Sequence, residues 1–349
     1  SQLDAAVECY EKAIAIQPDY ADPYNNLGIT FLELSQLDAA VDCYEKAIAI
    51  QPDYAEAHNN LGVTLKELDQ LDAAVDCYKK ALAVNPDNAE VNYNLGLTFQ
   101  HLSQLDAAVE CYEKAIAIQP GYADPYNNLG ITFLELNQLD AAVECYEKAI
   151  AIQPDYAEAH YNLGNTFNEL GQREDAVKSY EKALTLKPDY AEAHYNLGNA
   201  FQELGQLDDS VKCYKEALAV NPDYAYAHYN LGNALKELGQ REDAVKSYEN
   251  ALALKPDYAE AHNNLGTAFL SDFSQLDAAV NCYEKALSLM PENADTYSNL
   301  GMAYMQLDQP GIALKCCKKA LSLEPDSADA HNNLGIAFSE LGQLFMSVT

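Results

Sequence analysis

Apolar positions along this chain recur at spacings of three and four, break off at a proline, and then resume. Between Ala21 and Tyr54, a first run sets Tyr24, Leu27, Phe31 and Leu34 on one face of a helix. A second run does the same with Leu37, Ala40, Val41, Tyr44, Ala47 and Ile48. The pattern predicts helices over roughly 22–34 and 37–50, joined by a short turn. Pro52 ends the second helix, because it lacks an amide proton and its ring clashes with the preceding turn. Ser35 to Asp38 reads as a capping box between the two helices, and Asp53 to Glu56 as another before the next pair. Gly28 and Ala40 are small where two helices close to about 8–10 Å.

The same hairpin returns along the whole length. Pro18, Pro52, Pro86, Pro120, Pro154, Pro188, Pro222 and Pro256 stand 34 residues apart, and after one step of 35 Pro291 and Pro325 continue the series. A period of this length marks stacked helical repeats, each too small to bury its own apolar face alone. The chain therefore reads as one array over 1–349. It comprises a lone second helix (1–20), full repeats at 21–54, 55–88, 89–122, 123–156, 157–190, 191–224, 225–258, 259–293 and 294–327, and a first helix plus tail at 328–349. Residues 1–34 and 103–136 differ only at Asp19 and Gly121, the trace of a recent duplication. Later repeats are looser. An extra residue falls in 270–274, Pro310-Gly311 opens a helix, and Cys317 replaces the usual tyrosine.

Leu27, Gly28, Phe31, Ala40, Tyr44, Ala47 and Pro52 carry a small-large pattern that recurs in every full repeat, and through it the chain resembles the tetratricopeptide repeat family. The family's early tryptophan is missing. Tyr24, Tyr126, Tyr297, Asn92 or one of His58, His160, His194, His228, His262 and His331 fills that place. The resemblance implies an all-α, right-handed superhelical solenoid of stacked antiparallel hairpins, with first helices lining the concave side and second helices the convex side. It is similar to the superhelix of O-linked N-acetylglucosamine transferases and to bacterial tetratricopeptide arrays.

Charge narrows the partners. The formal net charge is −33, with 54 acidic residues against 21 Lys and Arg. Nucleic-acid binding rests on cations that neutralise phosphates, so it is disfavoured, as are anionic membrane surfaces. No apolar run approaches the ~18 residues of a membrane span, so no insertion is expected. A protein or peptide partner of basic character fits this surface.

Cys9, Cys43, Cys77, Cys111, Cys145, Cys213, Cys282 and Cys316 occupy one equivalent place per repeat, too far apart for the roughly 7 Å that a disulfide allows. They read as small packing residues, and unpaired thiols point to a reducing, cytoplasmic location, or an extracellular one if the chain forms filaments. A ladder of one histidine per repeat cannot converge on a metal ion. The expectation is a non-enzyme with no catalytic residues, no metal and no cofactor.

The sixth place of each repeat is always asparagine: Asn26, Asn60, Asn94, Asn128, Asn162, Asn196, Asn230, Asn264, Asn299 and Asn333. An amide offers both donor and acceptor, so such a row is able to grip the backbone of an extended peptide, or to tie one helix to the next. By the resemblance, O-linked N-acetylglucosamine transferases carry a similar ladder. Beside it Asn25, Asn59 and Asn127 give way to Tyr161, Tyr195 and Tyr229, and Ile29, Val63, Leu97 and Ile131 give way to Asn165, Asn199 and Asn233. Glu56, Glu90, Glu158, Glu192 and Glu260 rim the same side, and only Lys66 and Lys236 are cationic there. The reading is a peptide- or protein-binding scaffold built on the asparagines with Tyr161, Tyr195 and Tyr229. Half-repeats at the two ends read as the edges of a fragment of a longer array, and they raise two alternatives: a structural protein polymerising head to tail, with the apolar segment 344–348 buried at the joint, and a chain that continues into a further domain, as the substrate-recruiting arm of an enzyme such as a glycosyltransferase.

Overall fold

A computed structural model of the chain describes residues 2–270 and 273–348, and among these the regular elements are all helical. They fall into two compact units, 1–172 and 173–349. The first holds α1 (Gln2–Ile16), α2 (Ala21–Glu33), α3 (Leu37–Ile50), α4 (Ala55–Glu67) and α5 (Leu71–Val84). It continues with α6 (Ala89–His101), α7 (Leu105–Ile118), α8 (Ala123–Glu135), α9 (Leu139–Ile152) and α10 (Ala157–Glu169). The second holds α11 (Arg173–Leu186), α12 (Ala191–Glu203), α13 (Leu207–Val220), α14 (Ala225–Glu237) and α15 (Arg241–Leu254). After α16 (Ala259–Leu270) a 3-10 turn (Phe273–Gln275) leads into α17 (Leu276–Leu289), α18 (Ala294–Gln306), α19 (Pro310–Leu323) and α20 (Ala328–Val348).

Within each unit a first helix packs on the second helix that follows it, and that second helix packs on the first helix of the next repeat. First helices also touch one another from repeat to repeat, as in α2 with α4 and α14 with α16, whereas no second helix packs comparably on the next. The first-helix side of each unit is thus the closer-packed, inner side.

One tyrosine per hairpin fills the centre. Tyr44, Tyr78, Tyr112, Tyr146, Tyr214, Tyr248 and Tyr283 are fully buried. The glycine opposite makes room for the ring, since a Cβ on Gly28 would lie 2.6 Å from Tyr44 Cε1. Gly28 therefore seats a side chain of its own hairpin. At Gly301 the neighbour is Cys317 Sγ, 2.9 Å from an ideal Cβ, where the smaller thiol stands in for the ring.

The capping boxes do not form. Ser35 lies in the left-handed region (φ 58°), where its amide donates to Leu32 O and that of Gln36 to Phe31 O, so it terminates α2 and does not cap α3. Gly171, Gly205 and Gly239 hold the same place at φ 73–76°. Ahead of the first helices the cap position is usually tyrosine, as at Tyr54, whose side chain makes no cap bond. Asn88 and Asn293 do cap, their Oδ1 atoms accepting from Val91 N and Thr296 N at 3.1 and 2.8 Å. Pro310 takes the first helical position of α19, where its missing amide costs nothing. The last helix runs to Val348, through the stretch expected to be a tail, because neither a proline nor a left-handed residue interrupts it. The side chains of 344–348, and part of the insertion at 270–274, lie outside the described residues.

Candidate binding face on the first helices

The asparagine ladder is a chain of links between repeats. Asn60 Nδ2 donates to Asn25 Oδ1 at 3.1 Å, Asn94 to Asn59 at 3.2 Å and Asn162 to Asn127 at 3.1 Å. Where the acceptor place holds tyrosine the phenol oxygen serves: Asn128 donates to Tyr93 at 2.7 Å, Asn230 to Tyr195 and Asn264 to Tyr229 at 3.0 Å. Asn299 reaches Asn263 Oδ1 at 3.3 Å and Asn333 reaches Ser298 Oγ at 3.0 Å. Nine of the ten ladder residues, Asn26 and Asn196 among them, are half-buried, and Asn333 is buried. Tyr161, Tyr195 and Tyr229 are half-buried on the same helices. The side-chain Oδ1 atoms of Asn60, Asn94, Asn162 and Asn230 accept no hydrogen bond from another described residue, whereas those of Asn128 and Asn264 accept from Asn127 and Asn263 at 3.5 and 3.4 Å. The face therefore consumes amide donors internally and keeps acceptors.

A second network runs through the ninth place of repeats in the second unit. In the second unit Asn199 Oδ1 accepts from Asn230 Nδ2 at 2.9 Å and from the Tyr214 hydroxyl at 2.7 Å. Asn233 repeats this with Asn264 and Tyr248 at 2.9 and 2.8 Å. Residues Ile29, Val63 and Ile131 offer nothing to the equivalent hydroxyls, and those of Tyr44, Tyr78 and Tyr146 have no well-formed hydrogen bond. Leu97 is replaced in that role by Gln100, whose Oε1 accepts from Tyr112 at 2.9 Å. The change from apolar residues to asparagine thus serves the core as well as the surface.

Tyrosines cluster where the acidic rim is interrupted. Tyr195 packs on Tyr224 with ring centroids 4.9 Å apart, and Tyr229 on Tyr258 at 4.7 Å. Tyr226, 47% exposed, stands edge-on to Tyr258 at 5.5 Å. Lys255 Nζ lies 4.7 Å from both ring centres and donates to the Tyr226 hydroxyl at 2.9 Å, which holds that ring in place. Tyr226 and Tyr93 escaped the sequence reading. Tyr226 alone among the equivalent positions (Asp22, Glu56, Glu90, Asp124, Glu158, Glu192, Glu260, Asp295 and Asp329) is not acidic, and that was the signal available. The rim glutamates Glu56, Glu90, Glu158, Glu192 and Glu260 are exposed. Burial pushes the Tyr93 phenol up to about 12, with Asp124 adding to it.

The histidine ladder belongs to the turns. Nε2 of His58, His160, His194, His228, His262 and His331 each lies 2.9–3.2 Å from the carbonyl oxygen of the proline six residues earlier, within donating distance in the Nε2–H tautomer. Asn92 does related work, donating from Nδ2 to Asn88 O at 2.8 Å. The nine cysteines are free, and burial raises the thiols of Cys111 and Cys145 to about 11 and that of Cys213 to about 12. Among the described residues no helix is long and apolar enough to cross a membrane.

A family model described as TPR repeat matches the chain at 1–35, 30–69, 64–103, 101–137, 132–171, 164–205, 198–239, 232–272 and 274–308. Two described as tetratricopeptide repeat match 294–327 and 316–348. The chain belongs to the tetratricopeptide repeat family. Among solved structures, MamA is similar at 30% identity over 48% of this chain and 97% of its own, with a TM-score of 0.45. YrrB, described as a TPR protein with an unusual peptide-binding site, is 26% identical over 54% of this chain and 96% of its own, with a TM-score of 0.46. Cut9 with Hcn1, from the APC/C, is alike in fold at 17% identity over 95% of this chain and 80% of its own, with a TM-score of 0.52. No curated protein matches.

Proposed function

We propose that the chain is a non-catalytic scaffold whose first-helix side holds an extended, donor-rich segment of a protein partner. The observation that carries this reading is the one-sided bonding of the ladder. These linking amides spend Nδ2 on the preceding repeat, and the side-chain Oδ1 atoms of Asn60, Asn94, Asn162 and Asn230 remain to accept main-chain amides. Tyr161, Tyr195 and Tyr229 supply rigid amphipathic rings beside them. The exposed glutamates and the net charge of −33 favour a basic partner.

Panning a phage-displayed random peptide library against the chain tests this. Enrichment of extended sequences rich in Lys and Arg is expected, and Asn162→Ala, Asn196→Ala and Asn230→Ala together should weaken the selected peptide at least tenfold. Circular dichroism would confirm that the variant stays helical. Undiminished binding by a folded triple variant would remove the ladder from the site.

A further inference from the structure

At several junctions a tyrosine at the helix cap stacks on a tyrosine of the preceding repeat, as Tyr122 does on Tyr93, Tyr224 on Tyr195 and Tyr258 on Tyr229. At the next junction both rings are gone. Asn263 stands where Tyr229 stood one repeat earlier, and Asn293 where Tyr258 stood. The space they vacate is a cavity of about 210 Å³ beside Tyr229, lined also by Glu260, Asn263, Met290, Asn293 and Thr296. The same double exchange occurs at Asn59 and Asn88, but there Asn85 holds the place of Met290.

The lining is partly spent and partly open. Asn263 Oδ1 accepts from Thr296 Oγ1 at 3.1 Å and from Asn299, and Asn293 Oδ1 caps α18 through Thr296 N. Asn264 commits Nδ2 to Tyr229 and Asn233. Glu260 is exposed and makes no hydrogen bond or ion pair with another described residue, since Lys255, the cation on the loop before α16, is held by Tyr226 and Tyr258. Met290, 42% exposed, puts a flexible apolar chain at the edge. A carboxylate in no close ion pair, whose neighbouring cation Lys255 is engaged by tyrosine, together with an apolar edge and one ring face, fits a long cationic side chain, which buries its stem and pairs its head.

We infer that this notch is a subsite for one lysine or arginine side chain of the bound segment. The inference rests on the binding reading above and adds a specific requirement to it.

Met290 is its own reporter. The chain has four methionines, so ¹³C-methyl methionine labelling gives few signals, and Met290→Leu assigns the relevant one. The probe is the capped peptide Gly-Ser-Gly-Arg-Gly-Ser-Gly, with citrulline or glutamate replacing arginine as comparators. A saturable shift of the Met290 methyl is expected with arginine, at least tenfold weaker with citrulline and lost with glutamate. Glu260→Gln should weaken the response at least tenfold. Asn293→Tyr, which restores the ring that other repeats carry there, should abolish it without loss of helicity. An equal response to citrulline, a silent Met290, or a response that survives Asn293→Tyr would overturn the subsite. A library-selected peptide that binds the ladder and leaves Met290 unmoved would overturn the subsite alone; failure to select any peptide would count against the binding reading itself.

Discussion

A tyrosine ring sits at the centre of the hairpins, but its hydroxyl meets different neighbours in different repeats. Tyr214 donates to Asn199 Oδ1, while the Tyr44 hydroxyl is buried beside Ile29 and has no well-formed bond. Removing a hydroxyl that makes a buried hydrogen bond forfeits about 0.5–1.5 kcal/mol, whereas removing one that makes none relieves a desolvated group. Because Asn199 Oδ1 keeps its bond from Asn230, Tyr214→Phe is expected to destabilise the chain by about 0.5–1.5 kcal/mol, and Tyr44→Phe to be neutral or stabilising, in urea melts of the single variants. Equal costs would mean that the ring's packing, and not its hydroxyl, sets the difference. This contrast was half legible beforehand. The switch from Ile29, Val63, Leu97 and Ile131 to Asn165, Asn199 and Asn233 was visible in the sequence, but it read as surface chemistry, because helical periodicity does not say which buried atom lies opposite.

For the helix and its ends, apolar spacing and proline placed the elements closely: helices expected over 22–34 and 37–50 are found at Ala21–Glu33 and Leu37–Ile50. The turn chemistry was misread. A serine followed three residues later by an acid satisfies the capping pattern, yet Ser35 and Ser103 adopt left-handed conformations at φ 58° and 55° and close the preceding helix. Glycine holds that place in three other repeats, and this was the clue to its geometry. For a residue with a Cβ the conformation costs about 1–2 kcal/mol, offset in part by the larger backbone entropy that glycine loses on folding. Ser35→Gly and Ser103→Gly should each stabilise by about 0.5–1 kcal/mol, read as a rise in thermal midpoint. Asn137→Gly should gain less, because asparagine tolerates this region better.

Across the molecule, buried acids that titrate late tie stability to alkaline pH. Cys111 and Cys145 move from 9.0 to about 11, Cys213 to about 12, and Tyr93 from 10.0 to about 12, each chiefly through burial. An acid whose pKa is higher when folded contributes stability that is complete below its unfolded value and is lost as pH rises through its folded one. The thermal midpoint should accordingly hold steady up to pH ~8.5 and fall between about 9 and 12, checked by melts across that range. A midpoint that stays level to pH 12 would show that these groups ionise without unfolding.

The ladder has one more consequence, for how such a chain grows. In every described link the asparagine gives the hydrogen and the residue 35 or 36 positions earlier takes it, and that residue is Asn25, Tyr93 or Ser298 without loss of the bond. The coupling is universal: any repeat brings the same plug, and every version of the socket accepts it. A copied segment inserted anywhere in the series finds a compatible neighbour on both sides from the first generation. The near-identity of 1–34 and 103–136 is what a chain with interchangeable joints would record.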